Sequence, residues 1–210
     1  MAAVIRPMDP EEQREVLAVT ARAFWHDPLF DFFTRDLLHE YIRLPDVFRM
    51  YFKDLRPGRS ETWVGEHDGR PRAVAGWLPP GAYPRPALQE VARALRAVAV
   101  VAKARNRGKA ARLLLEVDRR HLRERHWYLV ILATDPSVQG KGLGSALLAP
   151  TLELCDRDGI VAYTETQKEA NVSWYARAGF VVSEEIRLPD TPTVWCLRRE
   201  PTSDAAGLSR

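Results

Sequence analysis

A cluster of glycines separates an apolar run typical of a strand from an apolar pattern typical of a helix. The run is WYLVILATD from Trp127, the cluster is QGKGLG at residues 139–144, and leucines recur at helical spacing after it. At such a turn the first helical amides have no partner within the helix, and glycine lets an anion approach them closely. The spacing therefore indicates an anion site of the kind that holds phosphate groups.

Two common phosphate-binding motifs do not fit this turn. A P-loop would need a glycine where the chain has Asp135, and a Ser or Thr where it has Gly142. A dinucleotide G-x-G-x-x-G fingerprint would need its third glycine at Ser145 or at Leu147, depending on the register. These residues exclude both the P-loop and the dinucleotide-binding motif.

A second motif follows the first along the chain. Residues 171–180 read NVSWYARAGF, a short helical pattern ending at Gly179. The segment QGKGLG resembles the Q/R-x-x-G-x-G/A signature of the GCN5-related N-acetyltransferase (GNAT) family, and NVSWYARAGF resembles that family's Asn-then-Tyr-x-x-x-Gly-Phe helix. The resemblance covers about Trp127 to Arg199.

The resemblance implies the GNAT fold of the α/β (α+β) class. This fold is a mixed central sheet of about seven strands, flanked by helices, in which strands four and five splay apart. The hydropathy pattern independently predicts the order strand, helices, two strands, helices, then β-α-β-α-β-β, with a hairpin at Asp68-Gly69. We expect one domain over residues 1–200 and a disordered tail over 201–210.

The resemblance also implies acetyl-coenzyme A (acetyl-CoA) as the co-substrate. The glycine turn would hold its pyrophosphate, and the exposed backbone of strand four would hold the pantetheine and the thioester carbonyl. For the strand-four residues the alternative role is plain packing in a core strand. For Asn171 the alternative is an N-cap of the following helix. The expected cofactor-binding residues are Leu132, Ala133, Thr134, Gln139, Gly140, Lys141, Gly142, Leu143, Gly144, Ser145 and Asn171.

Acetyl transfer from a thioester to an amine requires a neutral amine, a stabilised oxyanion and a proton for the departing thiolate. Tyr175 matches the family position whose hydroxyl protonates the thiolate, and a core tyrosine is the alternative. Glu165 is the candidate base, acting directly or through water, and a solvated strand-edge carboxylate is its alternative. Glu66, His26 and a route through bulk solvent stay open.

The acceptor is expected to be a small molecule carrying a primary amine. The C-terminal half most resembles GNAT members that acetylate aminonucleoside antibiotics such as puromycin, while a hydroxyl or a protein amine stays open as the acceptor. The pocket is expected in the N-terminal half, which supplies several aromatic side chains. They are Phe24, Trp25, Phe30, Phe33, Trp63, Trp77 and Tyr83.

A basic segment offers an alternative function. Residues 93–125 hold eleven Lys or Arg against three acidic residues, although the whole chain has a net charge of only +3. An acetyl-CoA-sensing regulatory or nucleic-acid-associated module could use these helices to bind phosphates. No reading helix or interleaved aromatic pattern accompanies the charges, so the sequence does not favour a nucleic-acid partner.

Several expectations come from what the sequence lacks. Its five histidines and two cysteines have no metal-ligand spacing, so no metal is expected. No signal pattern or membrane-length apolar run is present, so we expect no membrane partner. Cys155 and Cys196 read as buried free thiols, which favours a cytoplasmic setting. The sequence leaves the oligomeric state open between monomer and homodimer.

Overall fold

Seven strands of the described residues form one mixed sheet in the computed structural model. The structure describes residues 4–33, 60–83 and 104–202, with positions 44, 48, 49, 51, 52, 55, 98, 101 and 102. The strands are β1 (Val4–Pro7), β2 (Glu61–His67), β3 (Arg70–Leu78), β4 (His126–Thr134), β5 (Val161–Thr166), β6 (Val181–Ile186) and β7 (Val194–Arg199). Their order is β1-β2-β3-β4-β5-β7-β6, with β4 and β5 parallel and the other neighbours antiparallel. The expected mixed sheet is confirmed.

Helices cover both faces of this sheet. They are α1 (Gln13–Ala23), α2 (Pro28–Phe33), α3 (Arg107–Arg120), α4 (Leu143–Asp158) and α5 (Glu169–Ala176). Alternate residues of β3 point to opposite faces, so Ala75 packs in the cluster that contains α4, while Val74 packs in the cluster that contains α1. The two helices thereby hold the middle strands between two apolar layers.

A β-bulge halfway along β4 changes which of its side chains point to each face of the sheet. Gly76 pairs with Ile131 but the next residue, Trp77, pairs with Leu129, which leaves Val130 as an extra residue on β4. Leu129 therefore packs on the α4 side and Ile131 on the α1 side, although strict alternation would put both on one face.

The parallel strands β4 and β5 separate soon after they meet. Residues His126–Tyr128 of β4 pair with Val161–Tyr163 of β5. Beyond these residues the two strands continue without pairing with each other. At the fork, the Thr164 hydroxyl donates to the Leu129 carbonyl over 3.0 Å. The expected splay of strands four and five is present.

Several local expectations can be compared with the structure. The Asp68-Gly69 hairpin is present, with φ of 54° and 70°, as its turn type requires. Both cysteines are free and buried. The N-cap interpretation of Asn171 is wrong, because α5 begins at Glu169 with Lys168 as its N-cap. Residues 203–210 lie outside the described residues, so the disordered tail stays a prediction.

An ion pair fastens β7 to α4. Arg199 Nη1 and Nη2 donate to the two carboxylate oxygens of Asp156, each over 2.8 Å, and Arg199 Nε donates to the Ala178 carbonyl over 3.0 Å. The hydrogen bonds from Arg199 lower the pKa of Asp156 to about 2. The backbone N–H of Thr202 donates to the same carboxylate over 2.7 Å.

Asp156→Asn should lower the free energy of unfolding by about 1–2 kcal/mol at neutral pH. The folded-state pKa is depressed, so this stabilisation is present above about pH 4 and is lost as the pH falls toward 2. Urea denaturation at several pH values measures it. Asp158→Asn is the matched control on the same helix, because Asp158 pairs with Arg157 at the exposed surface. Equal effects of the two substitutions would contradict the prediction.

Candidate active site

A cavity of about 760 Å³ opens where β4 and β5 separate. One side of the cavity is formed by the C-terminal half of β4, the glycine turn, the end of β5 and α5. The other side is formed by residues around α1 and α2. All the expected cofactor-binding residues line it except Lys141, whose Nζ instead lies 3.0 Å from His67 Nε2. Tyr175 and Glu165 line the same cavity. The fold thus brings two separate sequence motifs to one space.

The glycine turn presents free backbone amides to this cavity. Gly140 and Gly142 have φ of 79° and 81°, and nothing lies within 4 Å of where a Cβ would stand. No side chain caps α4 within the described part of the chain, and its first intrahelical bond runs from Ala146 N to the Gly142 carbonyl. The amides just before Ala146 are therefore available to an anion.

Gly144 lies close to the second motif. A Cβ there would lie 3.2 Å from Cζ2 of Trp174, a tight contact between α4 and α5 that glycine relieves. This contact joins the first motif to the second.

A buried carboxylate holds the turn against the sheet. Asp135 is 4% exposed and accepts hydrogen bonds from Arg22 Nη2 over 2.6 Å and from Ser137 Oγ over 2.8 Å. Burial by itself would raise the pKa of Asp135, but the hydrogen bonds from Arg22 and Ser137 hold it at about 2. The ionised side chain therefore fixes the connection between β4 and the turn, a role that the sequence did not reveal.

The C-terminal part of β4 presents backbone N–H groups to the gap between β4 and β5. Asp135 N donates to the Arg72 carbonyl on the β3 side, over 2.8 Å. Successive strand amides point to opposite edges, so the N–H groups of Thr134 and Leu132 point into the gap, whereas that of Ala133 points to β3. Two of the three expected β4 residues can thus donate backbone hydrogen bonds into the cavity.

Tyr175 is both a core residue and a wall of the cavity. It is 6% exposed, and its ring lies 4.9 Å from that of Trp174 and 5.5 Å from that of Phe180, measured between centroids. Burial raises the pKa of its phenol, which the Thr164 hydroxyl partly opposes. The hydroxyl therefore stays protonated at neutral pH. The structural and catalytic roles that the sequence left open are therefore compatible.

Glu165 lies at the cavity, but not at a solvated strand edge as one alternative expected. Its side chain is 8% exposed, and Oε1 lies 2.9 Å from Nδ1 of His121. The other candidate bases lie elsewhere. Glu66 accepts from Arg6 over 2.6 Å, His26 lies 3.9 Å from Asp31, and neither lines the cavity.

The α1–α2 side of the cavity is apolar with one buried carboxylate. Asp27, which the sequence did not single out, is 4% exposed, lies 3.4 Å from Lys168 Nζ, and has a pKa raised by burial. Phe24 and Phe30 are the two expected pocket aromatics that line the cavity.

Other expected pocket aromatics do not reach the cavity. Trp63 and Trp77 belong to the apolar core around α4, where Trp63 Nε1 donates to Thr151 Oγ1 over 3.1 Å. The Tyr83 ring contacts that of His121, with centroids 3.8 Å apart and the ring planes tilted by 44°. Bulky aromatic residues in strands serve core packing and ligand contact equally well, so their sequence positions could not separate the two.

The basic segment is neutralised in part by acidic partners. Within the described residues, Lys109 pairs with Asp190 and Arg120 with Glu184, each over 2.8 Å. Arg93, Arg96 and Lys103 lie outside the described residues. These pairs do not favour a phosphate-binding surface.

Comparisons with known proteins agree with this arrangement. Residues 116–180 match the sequence model of the Acetyltransferase (GNAT) family. A histone acetyltransferase HPA2 and related acetyltransferase from Corynebacterium glutamicum superposes with a TM-score of 0.72 at 22% identity, covering 96% of this chain and 98% of that one. The chain has the GNAT fold. The chain also superposes on arylalkylamine N-acetyltransferase 2 from Aedes aegypti, with a TM-score of 0.67 at 17% identity. The superposition covers 96% of this chain and 100% of that one.

Sequence relatives match a shorter part of the GNAT-fold chain. An uncharacterized N-acetyltransferase of Schizosaccharomyces pombe is 36% identical over 62 residues, which is 30% of this chain. The match spans 25% of the length of that curated relative. The matched family model and this relative are both described as acetyltransferases. Within the described residues, no helix is long and apolar enough to cross a membrane, and no group of three potential metal ligands is found.

Proposed function

We propose that this protein is an acetyl-CoA-dependent N-acetyltransferase that acts on the primary amine of a small molecule. The observation that carries the proposal is the meeting, in one cavity, of a glycine turn with free amides, an unpaired edge of β4, Tyr175 and Glu165. The open space beside Gly140 and Gly142 suits a pyrophosphate, which is the group that such a turn binds best.

Each polar group has a role in the proposed reaction. Bound acetyl-CoA supplies the activated acetyl group as a thioester. Glu165 takes a proton from the acceptor ammonium, and the N–H groups of Leu132 and Thr134 stabilise negative charge on the carbonyl oxygen. The Tyr175 hydroxyl gives a proton to the departing sulfur. Asn171, whose Nδ2 donates to Thr166 Oγ1 over 3.0 Å, orients the wall that faces the pantetheine.

The acceptor side of the cavity suits a cationic amine next to an apolar or aromatic group. Phe24 and Phe30 offer ring contacts, and Asp27 and Glu165 are the two carboxylates in the lining of the cavity. The shared fold of a polyamine N-acetyltransferase from Drosophila melanogaster, with a TM-score of 0.62, favours the same substrate class. Puromycin is one candidate acceptor within it. Two free buried thiols suit the reducing cytoplasm as the setting.

A screen of primary amines with acetyl-CoA tests the proposal through released coenzyme A thiol. The panel includes puromycin, polyamines and arylalkylamines. We expect at least one amine to give saturable thiol release. Binding of acetyl-CoA with no transfer to any amine would favour the regulatory module, which a salt titration against nucleic acid would then test.

Glu165→Gln should lower turnover about 100-fold at neutral pH and flatten the acidic limb of the pH profile, because the amide keeps the shape of the side chain but cannot accept the proton. Acetyl-CoA affinity, measured by calorimetry, should stay within a factor of two or so of the parent. Glu66→Gln is the control, since Glu66 pairs with Arg6 outside the cavity. An unchanged acidic limb in Glu165→Gln would remove Glu165 from the role of base.

A further inference from the structure

Three buried side chains form a row that begins at the cavity and runs behind it. Glu165 Oε1 lies 2.9 Å from Nδ1 of His121, and Nε2 of His121 lies 3.2 Å from Nε2 of His126. Nδ1 of His126 lies 2.7 Å from the Glu124 carbonyl oxygen. His121 and His126 are 5% and 2% exposed. The groups contact one another end to end instead of converging on a point, which is the geometry of a hydrogen-bond chain and not of a metal site.

Counting protons along this row defines its state. The Glu124 carbonyl can only accept, so Nδ1 of His126 carries a hydrogen. The contacts between the two imidazoles and between His121 and Glu165 need one hydrogen each. Two neutral imidazoles supply only two hydrogens, so one of these two contacts lacks a hydrogen until a third proton joins the row between Glu165 and His121. With three protons all three contacts are hydrogen bonds and the row has no net charge. With two protons the row is negative, and at one contact two acceptor atoms face each other without a hydrogen between them.

The surroundings of the row add little charge to it. Tyr83, Tyr128 and Tyr163 place their rings 3.8, 4.6 and 4.7 Å from that of His121, between centroids. Burial raises the pKa of Tyr163 and that of Cys196, the latter to about 11, so both are neutral near pH 7. Burial lowers the pKa of His126, in agreement with a neutral ring there.

Charged groups near the row have partners of their own. Asp118 accepts from the Tyr83 hydroxyl over 2.8 Å, and Arg123 lies over the Tyr83 ring. Arg120 pairs with Glu184, and the carboxylate of Glu124 pairs with Arg198 over 2.9 Å. These partners offset the charges that surround the contact between Glu165 and His121.

We propose that His121 is a positioning residue that shares the proton taken up by Glu165, with His126 fixing the orientation of its ring. The inference rests on the proposed function, in which Glu165 deprotonates the acceptor ammonium. The N–H bond of the ammonium breaks, and the proton joins the bridge between Glu165 Oε1 and His121 Nδ1. All three hydrogen bonds of the row are then complete and its net charge is zero. After product release the proton returns through Glu165 to water in the cavity.

Nitrogen-detected NMR of the histidine rings tests the shared proton in the free protein. We expect His126 to carry its hydrogen on Nδ1, and the ring-nitrogen signals of His121 to differ between the parent and Glu165→Gln because their shared hydrogen bond changes. The measurement needs no acetyl transfer, so it remains informative if the proposed function fails. A His121 spectrum that Glu165→Gln leaves unchanged would overturn the inference.

Kinetics of His121→Asn supply the second test. Asparagine can keep a hydrogen bond to Glu165 but cannot exchange a proton, so kcat/KM should fall about tenfold and its acidic limb should move, with unchanged acetyl-CoA affinity. His26→Asn is the matched control, because His26 is half exposed outside the cavity and has a φ of 58° that asparagine accepts. A pH profile of His121→Asn that superimposes on the parent's would also overturn the inference, whereas loss of folding in it leaves the NMR result to decide.

Discussion

Gly142→Val should weaken acetyl-CoA binding by about 100-fold or more. A valine side chain would enter the open space from which phosphate oxygens reach the first amides of α4. Two lost charge-assisted hydrogen bonds, at about 1.5–3 kcal/mol each, already exceed that factor. The φ of 81° adds strain, because a β-branched residue rarely adopts this conformation. Isothermal titration calorimetry measures the change in Kd.

The matched control for this prediction lies at the other end of the same helix. Gly159 ends α4 with a φ of 66°, and nothing lies within 4 Å of the position of its Cβ. Gly159→Val should therefore introduce similar backbone strain without changing acetyl-CoA affinity. Equal loss of affinity in both variants would mean that strain in α4, and not access to the amides, explains the result.

Tyr175→Phe should lower turnover about 10²-fold while both Michaelis constants stay near those of the parent. The phenol acts on the sulfur that leaves, so its loss affects the chemical step and not binding. Burial raises the pKa of this phenol, so transfer of its proton to a thiolate is more uphill than for a free phenol, and the expected factor is at the low end for a general acid.

Two results would contradict this role of Tyr175. Loss of cofactor affinity in proportion to activity would show the hydroxyl to be a binding contact, and full activity would show only a packing role. Phenylalanine keeps the ring contacts with Trp174 and Phe180, so the thermal midpoint of the variant should stay near that of the parent. That measurement separates a chemical defect from a folding defect.

The local features of this protein can be predicted from short stretches of its sequence. Strand β4, the glycine turn and helix α4 follow from a few consecutive residues whose hydropathy and φ requirements agree with one another. The same holds for Gly159 at the end of α4 and for the Asp68-Gly69 hairpin, since one turn depends only on its own residues. The family resemblance added the splay of β4 and β5 and the expected roles of Tyr175 and Glu165.

Contacts between distant side chains depend on how the chain folds. Asp135 holds Arg22 across 113 positions of the chain, and Glu165 meets His121 across 44, distances over which no periodic pattern carries information. The bulge at Val130, which changes the facing of β4, depends on how β3 pairs with it. Burial of Glu165 likewise depends on the aromatic rings that three separate segments place around His121. The sequence leaves Glu165 open between a general base and a solvated strand-edge carboxylate, and the fold places it at the end of a buried hydrogen-bond chain.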